Sequence, residues 1–133
     1  MMETFKINST KNKQLLDITS RVTSAVDKAE FPEGAVFVYT PHTTAGITIN
    51  ENADPDVSRD IVGFLSKLIP KSYPFAHMEG NSDAHLMSSI IGCSEMIPVE
   101  HGKLQTGTWQ GIYFCEFDGP RTRKIYINFL QPF

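Results

Sequence analysis

Cysteine is scarce in this chain: Cys93 and Cys115 are the only two in 133 residues. They lie far apart, inside apolar segments, and form no CxxC pair. That argues against a disulfide-stapled secreted scaffold and against a thiolate metal site. Two buried, reduced thiols in a cytoplasmic protein are expected instead. Basic charge is short as well. The 12 Lys and Arg stand against 15 Asp and Glu, for a net charge of −3, so nucleic acid is not an expected partner. No apolar run approaches the roughly 18 residues of a membrane span, and the opening Met1-Met2-Glu3-Thr4-Phe5-Lys6 has no apolar core for a signal peptide. No membrane association is expected. Several catalytic signatures are missing too: there is no GxSxG elbow, no P-loop and no Rossmann glycine fingerprint.

What is present suits one compact domain spanning residues 1–133. Hydrophobic residues make up 41% of the chain, enough at this length to bury a core without staples. Glu3 to Asn8 reads as an edge strand. Ser20 to Ala29 reads as a helix, with Val22, Ala25, Val26 and Ala29 at helical spacing and Thr19 or Ser20 as cap. Ala35 to Thr40 is β-branched and aromatic, a buried strand, and Gly46 to Glu51 alternates as a half-buried one. Asp54-Pro55 is a helix start, with Asp as N-cap and Pro at the first helical position. Val57, Ile61, Phe64, Leu65 and Leu68 then form one apolar face until Pro70. A polar loop from Lys71 to Ser82 leads into a helix that ends at Gly92. The last third reads as β: a strand from Glu95 to Val99, then Trp109 to Phe117 and Lys124 to Leu130 as a hairpin around Asp118-Gly119-Pro120. Trp109 is expected as a core or interface anchor. Helices and strands do not alternate regularly. The expected class is therefore α+β, with about three helices and mixed or antiparallel sheets.

The chemistry concentrates in His77-Met78-Glu79-Gly80-Asn81-Ser82-Asp83-Ala84-His85. Two imidazoles and two carboxylates fall within nine residues, and both are ligand types for a first-row divalent metal. His42 lies upstream in a connection between two strands, where scaffolds display reactive groups. If folding brings His42 to the pair, three histidines with an open position give the arrangement of catalytic zinc. Glu79 and Asp83 are candidates for proton transfer or for orienting a histidine, and Asp83 is equally suited to a helix start. Arg121, Arg123 and Lys124 cluster at a turn, where guanidinium groups suit phosphate. Lys103 adds a further cation, and the hydroxyls of Thr40, Thr43 and Thr44 could orient a ligand.

These residues resemble the YjbQ-like family, also called the secondary thiamine-phosphate synthase enzyme family. The resemblance rests on Pro41-His42-Thr43-Thr44-Ala45-Gly46-Ile47-Thr48-Ile49-Asn50-Glu51-Asn52 with Asp54-Pro55, and on His77-x-Glu79-Gly80-Asn81-x-Asp83-Ala84-His85. Ile97-Pro98-Val99, Gly107-Thr108-Trp109-Gln110 and Glu116-Phe117-Asp118-Gly119-Pro120-Arg121 complete it. It implies a sandwich-like sheet arrangement, a homotrimer, and a divalent metal, zinc first, on His42, His77 and His85. It also implies an enzyme joining hydroxymethylpyrimidine diphosphate to thiazole phosphate. On that reading Glu79 and Asp83 would be catalytic, and Arg121, Arg123, Lys103 and Thr43 would hold the small phosphorylated molecule. Two alternatives keep the site: a metal-dependent hydrolase of a phosphorylated molecule, and a non-catalytic metal- or ligand-binding trimer.

Overall fold

A computed structural model describes residues 2–132. The chain runs β1 (Met2–Asn8), β2 (Gln14–Asp17), α1 (Thr19–Lys28), β3 (Gly34–Tyr39), β4 (Ala45–Glu51) and α2 (Pro55–Leu68). It continues through α3 (Ser82–Ile91), β5 (Ser94–Glu100), β6 (Lys103–Leu104), β7 (Gln110–Glu116) and β8 (Thr122–Leu130). The strands form a five-stranded sheet in the order β1-β8-β3-β5-β6 and a three-stranded sheet in the order β2-β7-β4. Every strand pairing is antiparallel. The α+β class with three helices is as the sequence predicts.

Alternation along each strand sorts its side chains between two cores. Val36, Val38, Ile97, Val99, Ile125 and Ile127 from the larger sheet meet Ile47, Ile112 and Phe114 from the smaller one, and Ile18, just before α1, joins Val22 and Val26 of α1 in the same core. The opposite face of the small sheet, with Cys115, packs under Ala84 and Met87 of α3 and Ile69 at the end of α2, together with Phe117 just past β7. β7 is therefore covered on both faces, which is why it reads as an unbroken apolar run.

Four local expectations change. The hairpin expected from Trp109 to Leu130 does not form: β7 pairs with β2 and β4, whereas β8 pairs with β1 and β3. The chain crosses from one sheet to the other between them. Gly119 permits this crossing, because a Cβ there would lie 2.4 Å from the Lys11 carbonyl oxygen and 2.6 Å from the Ser9 hydroxyl. The N-cap of α1 is Ile18, which has no side chain to cap with, in place of Thr19 or Ser20; the Asp17 carboxylate, one residue earlier, accepts the Thr19 N–H at 2.9 Å. Cys93 is exposed and only Cys115 is buried, since Cys93 follows the last turn of α3 and faces outward. Trp109 is also exposed and so is no core anchor.

α2 starts as expected, with the Asp54 side chain accepting from the Asp56 N–H at 2.9 Å. Its apolar face, however, contributes no buried residue. Phe64 and Leu68 are 63% and 58% exposed.

Candidate functional site

The buried foundation of the site is polar. Glu116 ends β7 and Arg123 is the second residue of β8, and they are 0% and 4% exposed. Arg123 grips the carboxylate with both its Nε, at 2.9 Å from Oε1, and its Nη2 on Oε2. The Ser9 hydroxyl donates to Oε1 at 2.7 Å and the Asp118 N–H to Oε2 at 2.9 Å. Four donors therefore satisfy the carboxylate's lone pairs. Burial alone would raise the Glu116 pKa, but the bonds from Arg123, Ser9 and the Asp118 N–H outweigh it and hold the group below its ordinary value. Arg123 Nη2 also reaches the Thr44 hydroxyl at 2.8 Å. Residues from both sheets thus meet at one edge of the sandwich, at the mouth of a cleft.

That cleft measures about 320 Å³ and is lined by His42, Thr43, His77, Glu79, His85 and Arg121, along with Thr44, Asn81, Asp118 and Arg123. α3 delivers His85. Its C-terminal end is drawn tightly onto β4, where the Gly92 carbonyl accepts the Ile47 N–H at 3.1 Å and the Ser88 hydroxyl donates to Ala45 O at 2.6 Å. Only glycine fits at position 46, since a Cβ there would lie 2.8 Å from the Gly92 carbonyl oxygen. The loop before α3 brings His77 beside His85, with ring centroids 5.5 Å apart and planes at 87°. The Asn81 amide nitrogen ties Glu79 to Asp118, at 2.9 Å from each carboxylate. Arg121 in turn donates to Asp118 Oδ2 at 3.0 Å and to its carbonyl at 2.7 Å.

His42 stands differently from the other two imidazoles. Its Nε2 accepts the Lys124 backbone N–H at 2.9 Å, so in the neutral ring the proton sits on Nδ1. Burial, with the Arg123 charge next, holds the His42 pKa below its usual value. Neither ring nitrogen is left with a free lone pair. Among the described residues, no group of three or more His, Cys, Asp or Glu stands close enough to hold a metal ion. These residues do not fit the three-imidazole metal site expected from the sequence.

Two expected members fall elsewhere. Asp83, 2% exposed, lies 2.8 Å from Lys13 Nζ, and that lysine also donates to Phe117 O at 2.8 Å. Asp83 thereby pins the β1–β2 connection to α3 and does not line the cleft. Lys103, on β6, lines a separate depression beside α1. Arg123 lines the cleft, but its guanidinium is engaged with Glu116 and Thr44, so it forms the floor and is not a mobile phosphate clamp. Asn81, Glu116 and Asp118 fall within the motifs of the resemblance and Asp118 within a turn, but neither they nor Ser9 read as members of the site from residue type alone. An acidic residue within the apolar run Ile112 to Phe117 was the one visible sign of a buried charge needing a partner.

A family model described as "UPF0047 protein YjbQ-like" matches residues 3–132. The chain belongs to that family. It is 52% identical over 130 residues to UPF0047 protein MJ1081 of Methanocaldococcus jannaschii, covering 98% of this chain and 94% of the relative. It is 50% identical over 131 residues to UPF0047 protein YugU of Bacillus subtilis, covering 98% and 99%. A crystal structure of an uncharacterised conserved yjbq/upf0047 family protein from Clostridium acetobutylicum superimposes with a TM-score of 0.94 at 51% identity, covering 96% and 99%. A protein of unknown function from Sulfolobus solfataricus gives 0.95 at 30% identity, covering 99% and 97%.

These findings overturn the thiamine-phosphate synthase reading and its metal-dependent alternatives. The two solved relatives are described as uncharacterised and of unknown function, and among the described residues the metal site those readings required does not assemble. No helix of the described residues is long and apolar enough to cross a membrane.

Proposed function

We propose that the cleft binds a small phosphorylated molecule and that His77 and His85 exchange protons with it. One observation carries the reading: a half-exposed guanidinium, Arg121, shares a cleft of about 320 Å³ with two neighbouring imidazoles and the Thr43 hydroxyl. Arg121 and the Asn81 amide already compensate the Asp118 carboxylate. Burial and the positive charges of Arg123, Lys124 and Arg121 disfavour protonation of His42, against the opposing pull of the Glu116 carboxylate. The unpaired thiols Cys93 and Cys115 suit the cytosol as the compartment.

Titration of the protein with phenyl phosphate, followed by calorimetry, tests the binding. Arg121→Ala removes a charge-assisted contact worth about 1.5–3 kcal/mol and should weaken binding by about 10- to 100-fold. Unchanged affinity in that variant, or a need for a stoichiometric divalent ion, overturns this reading.

The working form we propose is the homotrimer. Its support is the outer edge of the α2 apolar face: Leu65 packs against the second core, whereas Phe64 and Leu68 stay exposed at helical spacing and are free to meet another surface. Sedimentation should give three times the 14.9 kDa chain mass, and the double variant Phe64→Asp/Leu68→Asp should sediment as a monomer. A monomeric unmodified protein refutes the trimer.

A further inference from the structure

His42, Thr43 and His85 line a second recess besides the cleft. It measures about 460 Å³, and Tyr39, Pro41, Ser89 and Cys93 are among its other walls. The two spaces differ in chemistry. Glu79, Asp118, Arg121 and Arg123 surround the first, whereas among the described residues no Asp, Glu, Lys or Arg lines the second. Its polar groups are hydroxyls, a thiol and the shared imidazoles. Tyr39 is held in place by a ladder of rings, with Phe37 and Tyr126 each 6.1 Å away and stacked on it. Each space alone sits near the low end of the roughly 300–1,000 Å³ usual for ligand sites, and joined they reach the upper half of that range.

We propose that the two recesses form one bipartite site for a phosphate monoester. The phosphate occupies the lobe beside Arg121. An uncharged, ring-sized body occupies the lobe walled by Tyr39, Pro41 and Cys93. His42, Thr43 and His85 stand at the junction, where the ester oxygen comes to lie. This rests on the phosphate-binding reading above and adds the class of molecule attached to the phosphate. A charged body is disfavoured, because the second lobe holds no ionised partner to offset its lost hydration.

Cys93 reports on the second lobe without a label being engineered. It is exposed, while Cys115 is buried with its thiol pushed up to about 12 and stays unreactive as a thiol. The rate of alkylation by N-ethylmaleimide therefore reads Cys93 alone. Phenyl phosphate at about ten times its Kd should slow that rate by about tenfold, following the fraction of free protein. Inorganic phosphate at its own saturation should leave the rate nearly unchanged, because it fills only the charged lobe. Equal protection by both probes, or Arg121-dependent binding of phenyl phosphate with no protection of Cys93, overturns the bipartite site while the phosphate reading stands. Binding of phenyl phosphate that ignores Arg121→Ala, or no binding at all, overturns both.

Discussion

Glu116→Gln should lower the unfolding free energy by about 3–5 kcal/mol, because it leaves the Arg123 guanidinium buried without its counter-charge. Arg123→Met should cost a similar amount by stranding the carboxylate. With a urea m-value of about 1.5 kcal/mol/M, either change moves the unfolding midpoint down by about 2–3 M. The double variant should be more stable than either single one, since it buries no lone charge. If the double variant falls by the sum of the two single losses, the pair does not act as a unit. The same network sets an acid limit. The folded pKa of Glu116 lies below its ordinary 4.5, so its contribution is fully present above that value and is lost as pH falls through the depressed one. In Glu116→Gln the acid-side loss of stability should be shallower, which urea titrations through the acid range below pH 6 measure.

His85→Ala and His77→Ala should each reduce turnover by about 10²–10⁴-fold, the usual worth of a positioned acid or base. The assay is NMR of a panel of small phosphate monoesters incubated with chelator-treated protein. Binding should survive in both variants if Arg121 is intact, so kcat falls while Kd changes little. The T-shaped contact between the rings makes the two imidazoles neighbours within one cleft, and the double variant should fall little further than either single one. Loss of binding with unaltered turnover would invert their role from proton transfer to ligand grip. A panel in which nothing turns over leaves a binding protein and removes the enzymatic half of the reading.

Much of the local structure was legible. The Asp54-Pro55 start, the period of α2, the Gly92 end of α3 and the alternation of β4 are short-range signals, set by capping and side-chain spacing within a few residues. β2 and β6 were missed because four and two residues carry too little pattern to stand out. The false hairpin has a different cause. The strands now seen as β7 and β8 are adjacent, apolar and separated by a turn sequence, which is all that a hairpin shows locally. Their separation into two sheets depends on β2, β4, β1 and β3, none of them near in sequence.

The candidate site divides the same way. Residue chemistry picked out His42, His77, His85, Glu79, Thr43 and Arg121, and folding gathers all six around one cleft. Asp83 and Lys103 carried the same chemical promise and went elsewhere. Lys13, from the connection after β1, neutralises Asp83 beneath α3. His42 was the natural third metal ligand by type, yet its Nε2 is taken by the Lys124 N–H. The anchoring of Arg123 on Glu116 sets where that backbone lies. By itself, then, the sequence determined the family, the α+β class, most element boundaries and the kinds of groups at the site, because these follow from short-range sterics and residue chemistry. Which lone pairs stay free, which charges are neutralised and which strands share a sheet were decided only by the tertiary structure, since each depends on a partner dozens of residues away.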